Sequence, residues 1–140
     1  MSEPLRILVV DDNQRMTSVL SDILRLHEYQ VEIAHSGAEA LEIAERLPFH
    51  CLISDVRMPG MDGVDLCKQL LTIQPGLFSV LMTAYAYPDR LAASKEQGVL
   101  AVLEKPLDID RLLNFLEALQ QRRTIALVDD QPAFVYSLGD

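Results

Sequence analysis

Five short apolar runs are spaced along the chain: residues 5–10 (LRILVV), 31–34 (VEIA), 51–54 (CLIS), 78–82 (FSVLM) and 100–104 (LAVLE). Each is short enough for a buried strand, and each is followed by a stretch whose apolar residues recur at helical spacing. After the first run, Met16, Val19, Leu20, Ile23 and Leu24 mark one face of a first helix. Ser36 and Glu39 have the form of a capping box, and Ala40, Leu41, Ala44 and Leu47 continue the stripe of a second helix. A third helix is predicted to start near Asp62 and to carry Val64, Cys67, Leu70 and Leu71 until Pro75-Gly76 ends it. A shorter fourth helix fits residues 88–97, with Pro88 near its start and Gly98 at its end. Asp108 caps a fifth, with Ile109, Leu112, Leu113, Leu116 and Leu119 as its buried stripe. Strands alternating with amphipathic helices predict an α/β fold: a doubly wound five-stranded parallel sheet, order 2-1-3-4-5, with helices on both faces.

Composition narrows the picture. A chain of 140 residues with 49% hydrophobic content supports one compact core. The net charge of −9 repels phosphate backbones and argues against direct nucleic-acid binding. No apolar run approaches the roughly 20 residues of a membrane span, and the start MSEPLRILVV lacks the layout of a secretion signal, so a cytoplasmic location with no membrane partner is expected. Cys51 and Cys67 lie in apolar or helical patterns without metal-ligand spacing and read as reduced core residues. His27, His35 and His50 sit near segment ends, share no ligand spacing, and read as surface residues.

The chemistry is concentrated at the strand ends, where ligands bind in open parallel sheets. The first strand ends in Asp11-Asp12, the third in Asp55, the fourth in Thr83 and the fifth in Lys105. Taken alone, the aspartate pair would read as a helix cap supplied by Asp12 or by Asn13. Brought together, three carboxylates repel by about 4 kcal/mol per pair near 4 Å at an effective dielectric near 20. One lysine cannot balance them, whereas a hard divalent cation such as magnesium can. Asp55 stands alone at the end of an apolar strand and is the candidate nucleophile toward a phosphoryl group, with Thr83 and Lys105 as donors to its oxygens.

The series VVDD, SDVRMPGMDG, LMTA and LEKP, in this order and at these separations, closely resembles the receiver domain of two-component response regulators, over residues 5 to about 121. The resemblance implies a phosphorelay signalling domain whose Asp55 is phosphorylated by a histidine kinase or a histidine phosphotransfer protein. It further implies a magnesium site formed by Asp11, Asp12, Asp55 and the backbone carbonyl of Arg57, contacts from Thr83 and Lys105 to the phosphoryl group, and a cis peptide at Lys105-Pro106. On this reading the chain is a signalling domain and not an enzyme. One departure stands out: Val102 occupies the place where the family usually carries an aromatic switch residue; Tyr85 or Tyr87 would be the substitute, against the plainer and preferred reading of both as partly exposed loop residues. Arg57 and Tyr85 are bulky at the two positions that flank attacking water in receivers, which implies slow loss of the phosphoryl group. Two rival readings are weaker. An aspartyl-nucleophile magnesium phosphatase would need a second aspartate where Arg57 stands, and a docking module that is never phosphorylated would not need the intact acidic set.

The sequence also repeats itself. Aligning Ile7 with Ile125 sets ILVVDDNQRMTSVLSD against IALVDDQPAFVYSLGD, an offset of 118 residues, about one receiver length. Residues 1–123 therefore read as the receiver domain. Residues 124–140 read as the first strand and helix start of a second, truncated receiver, with further domains expected in the full-length protein.

Overall fold

The apolar runs at 6–10, 51–55 and 78–83 form strands because their side chains are covered on both faces, and the polar-apolar stretches after the first three runs form crossover helices. The structure, a computed structural model, describes residues 3–84 and 99–129. In chain order the elements are β1 (Arg6–Val10), α1 (Gln14–Leu26), β2 (Gln30–Ala34), α2 (Gly37–Ala44), β3 (Cys51–Asp55), α3 (Gly63–Ile73), β4 (Phe78–Thr83), β5 (Val99–Glu104) and α4 (Ile109–Asp129). The strands pair in parallel in the order β2-β1-β3-β4-β5, as the pattern predicts. The helix predicted over residues 88–97, Tyr85, Tyr87 and tail residues 130–140 lie outside the described residues.

The period-two alternation of the strands divides the core. Ile7, Val9, Cys51, Ile53, Val80 and Met82 face Leu20 and Leu24 of α1 and Leu112, Leu116 and Leu119 of α4. Leu8, Val10, Leu52 and Leu81 face Ala40 and Ala44 of α2 and Val64, Cys67 and Leu70 of α3. Helix starts follow the caps read from the sequence. Asn13 Oδ1 accepts from the Met16 amide at 3.1 Å, Ser36 Oγ from Glu39 at 3.1 Å, Asp62 Oδ1 from Asp65 at 2.9 Å and Asp108 Oδ1 from Arg111 at 3.1 Å. Because Asn13 caps α1, Asp12 is left for other work.

Two expectations are corrected. Val19 is 53% exposed, and the buried side of α1 is Thr17, Leu20, Ser21 and Leu24. The Thr17 and Ser21 hydroxyls donate to the Gln14 and Ser18 carbonyls, both at 3.0 Å, so these small polar residues enter the core with their hydrogen bonds made. A stripe drawn from apolar residues alone misses that rotation. The last helix, α4, runs on to Asp129 through residues that the internal repeat assigns to a strand. A strand needs a neighbour for its amides, and among the described residues no second sheet offers one; a helix satisfies them internally.

Gln74 is a tie that no sequence pattern shows. Its Oε1 accepts from the Phe49 amide at 2.7 Å, and its Nε2 donates to the Ala44 and Leu47 carbonyls at 2.9 and 2.8 Å. The side chain thereby pins the end of α2 and the entry to β3. Gln74→Ala is expected to cost about 2–4 kcal/mol, seen as a lower urea midpoint with unchanged slope, because three partly buried backbone groups lose their partner.

Burial pushes the Cys51 thiol from its usual 9.0 up to about 12. Between those values the unfolded chain releases a proton that the folded chain keeps. The stability this residue contributes is therefore full below pH 9.0 and lost as pH rises toward 12, at up to about 1.4 kcal/mol per pH unit. Urea unfolding of the wild type and Cys51→Ala across this window should show a shallower pH slope in the variant; equal slopes would contradict the assignment.

Candidate functional site

The strand order reverses between β1 and β3, and the predicted residues gather at the carboxyl ends on either side of that point. Asp11 follows β1 and is 1% exposed, and its amide donates to the Ala34 carbonyl at 3.2 Å. Its Oδ1 accepts from the Asn13 amide at 3.0 Å, which fixes the carboxylate plane. Asp12 is exposed beside it. Asp55 ends β3 and is largely buried. Carboxylate oxygens of Asp11, Asp12 and Asp55 lie within 4.8 Å of one another, a donor group able to hold a metal ion.

Lys105 arrives from the far side of the sheet. Its backbone amide donates to the Thr83 carbonyl at 2.8 Å, extending the β4–β5 pairing past the last strand residue. Its Nζ donates to Asp11 Oδ2 at 2.9 Å and lies 3.5 Å from Asp55 Oδ2. The peptide between Lys105 and Pro106 is cis, as the resemblance implies. Thr83, 2% exposed, closes β4; Asp55 pairs with Met82, so Thr83 lies one residue further toward the site edge. Arg57 is exposed, and its backbone N–H bonds to the Asp55 carboxyl group.

The electrostatics follow from this crowding. Burial, then the charge of Asp11, hold the Asp55 carboxyl above the usual carboxylate range, against the opposing pull of Lys105 and of the Arg57 amide. Burial works against the Lys105 charge, yet its hydrogen bond to Asp11 and the charges of both aspartates outweigh it and raise the ammonium above its usual value. Three carboxylates thus face one cation, and negative charge is left over.

Gly63, which sequence reading passed over, sets the depth of the site. A Cβ there would meet the Asp55 carbonyl oxygen at 2.3 Å and the Val56 Cα at 3.1 Å. Its amide donates to the Val56 carbonyl at 2.8 Å, so the first turn of α3 rests directly on the end of β3. The only signal in the sequence is a glycine just after the capping Asp62. Met58 is buried and Met61 packs against the same α2–α3 side of the core, consistent with a covering role. Val102 is partly buried on that face too. His35 and His50 are more engaged than surface residues. His35 Nε2 lies 3.2 Å from the Thr17 hydroxyl, and His50 Nδ1 accepts from the Arg6 amide at 2.9 Å, extending the β1–β3 pairing.

Fold and site together define a doubly wound α/β domain with an acidic, lysine-paired centre at its topological switch point. The chain belongs to the response regulator receiver domain family, whose model matches residues 7–117. It is 41% identical over 109 residues to a response regulator receiver protein of Anaeromyxobacter sp. (strain Fw109-5), covering 78% of this chain and 46% of that protein. It is 34% identical to sporulation initiation phosphotransferase F of Bacillus subtilis (strain 168), covering 76% of this chain and 86% of the relative. The transcriptional regulatory protein ZraR of Klebsiella oxytoca is 38% identical, covering 99% of this chain and 32% of the relative. The chain thus spans less than half the length of several relatives it matches. Among solved structures, a CheY-like receiver domain from Methanospirillum hungatei JF-1 superposes with a TM-score of 0.80 at 30% identity, covering 86% of this chain and 98% of the other. Membership of this family makes the chain a phosphoacceptor signalling domain.

Gly63→Ala is expected to cost about 1–3 kcal/mol by overpacking and to displace the end of β3. Urea unfolding measures the first effect and the chemical shifts of Asp55 the second. A stable variant with an undisturbed Asp55 would contradict the contact.

Proposed function

We propose that Asp55 is the residue that receives the phosphoryl group, from a phosphohistidine on a histidine kinase or a histidine phosphotransfer protein. The observation that carries this reading is a largely buried carboxylate at a strand end, 3.5 Å from the Lys105 ammonium and within a three-carboxylate cluster. One Asp55 oxygen attacks phosphorus, an Asp55 O–P bond forms, and the P–N bond to the donor imidazole breaks; the imidazole keeps the electron pair and takes up a proton. Asp11 orients Lys105, whose ammonium neutralises an oxygen of the incoming group. Thr83, at the end of the neighbouring strand, would serve as a hydroxyl donor to another oxygen of that group.

The donor set suits magnesium: hard oxygen ligands, close together, with one opposing cation. Asp11, Asp12, Asp55 and the Arg57 carbonyl would hold it, and the ion would supply the charge that lets a carboxylate approach a phosphate. The domain is then a substrate of phosphoryl transfer that signals by its changed surface, not a turnover enzyme. Among the described residues no helix is long and apolar enough to cross a membrane, and the charge of −9 disfavours nucleic acid. Both features support a cytoplasmic signalling domain whose direct partners are proteins.

Intact mass after incubation with acetyl phosphate tests the assignment. One phosphoryl group should be gained with magnesium and none with chelator or in Asp55→Asn; an unaltered gain in the variant would move the acceptor elsewhere. In receivers the positions that Arg57 and Tyr85 occupy in the sequence flank the route of attacking water, so the Arg57→Ala, Tyr85→Ala double variant should lose the group at least several-fold faster. A wild-type lifetime of seconds that the double variant barely changes would overturn that part.

A further inference from the structure

Ser54 is a polar residue at a position of β3 that faces an apolar layer. Leu52 and Val56, two residues to either side, pack against α2 and α3, so the strand period turns Ser54 into the same layer, where it is fully buried. A buried hydroxyl costs stability unless it is bonded. Thr17 and Ser21 meet that requirement on carbonyls three residues back along their own helix. Ser54 meets it at the candidate acceptor: its Oγ donates to the backbone carbonyl of Asp55 at 2.9 Å.

The place of that carbonyl gives the bond its consequence. Pairing of β3 with β1 ends at Ser54 opposite Val10, one residue before Asp55. Gly63 then lies so close that a Cβ would stand 2.3 Å from the Asp55 carbonyl oxygen, so the first turn of α3 covers it. At the other end of the same peptide, the Val56 amide donates to the Met82 carbonyl at 2.9 Å. The peptide that follows Asp55 is thus held at both polar groups, by β4 through its N–H and by Ser54 through its C=O. Beyond it, the Val56 carbonyl accepts from the Gly63 amide at 2.8 Å, and the Arg57 amide bonds back to the Asp55 carboxyl group. One peptide plane therefore sets the course of the chain from the Asp55 Cα to the amide that holds its carboxylate.

We propose that Ser54 is a positioning residue for phosphoryl transfer, acting through the Asp55 backbone and not on the phosphoryl group. The inference rests on the reading of Asp55 as the acceptor and deepens it. In-line attack on phosphorus needs one carboxylate oxygen aimed and held, and support from a bonded neighbour is what holds it. Without the hydroxyl, the covered carbonyl must turn to find another donor, and the Asp55 carboxylate turns with it.

The test follows the rate of phosphoryl gain by intact mass, at fixed acetyl phosphate and excess magnesium, for the wild type, Ser54→Ala, Ser54→Thr and Asp55→Asn, with urea midpoints alongside. Ser54→Ala should remain folded and gain the group roughly tenfold more slowly, while Ser54→Thr, which keeps the hydroxyl, stays within about threefold of the wild type. The chemical shift of the Asp55 backbone carbonyl carbon reads the bond itself and should move in Ser54→Ala more than those of Leu52 and Ile53. A lower urea midpoint for Ser54→Ala with the wild-type rate would overturn the positioning role and leave Ser54 as packing alone. An unmoved Asp55 carbonyl shift would overturn it as well. Asp55→Asn should gain nothing; a gain equal to that of the wild type would overturn the Asp55 reading itself, whatever Ser54→Ala does.

Discussion

Packing Asp11, Asp12 and Asp55 within 4.8 Å against one Lys105 ammonium is the constraint on which the rest of the site depends. At a surface the carboxylates would separate into water. Here Asp11 is fixed by the Asn13 amide and by Lys105, and Asp55 by the strand that ends in it, so the repulsion between these two has nowhere to relax. The outcome is a centre short of positive charge, matched to a cation and a phosphoryl group arriving together.

The fold pays for this arrangement through its apolar layers. Strands covered on both faces hold the ends of β1, β3, β4 and β5 at one edge, and the absence of a Cβ at Gly63 lets α3 close on the end of β3. Lys105 reaches the centre because its amide extends the pairing with Thr83 beyond the last strand residue. Rigidity of the sheet is therefore what keeps like charges together.

Much of this was legible in the sequence for a physical reason. Strand period and caps are local, so five strands, their order and the caps at Ser36, Asp62 and Asp108 were readable, as were the charged residues that the strand ends deliver. What was not readable depends on partners distant in sequence. Gln74 ties two carbonyls and an amide that only the fold brings near it, Gly63 matters through one close approach, and Val19 turned outward because Thr17 and Ser21 could be buried with their own bonds made. The repeat was visible as letters, yet residues 124–129 belong to helix α4.

The most direct test of the central claim is urea unfolding of the wild type and Asp55→Asn, each with and without magnesium. If unbalanced carboxylate charge governs the centre, the variant is more stable than the wild type without the metal, and magnesium stabilises the wild type by more than it stabilises the variant. A variant less stable than the wild type without metal, with magnesium acting equally on both, would show that the three carboxylates are not in conflict and would contradict the account.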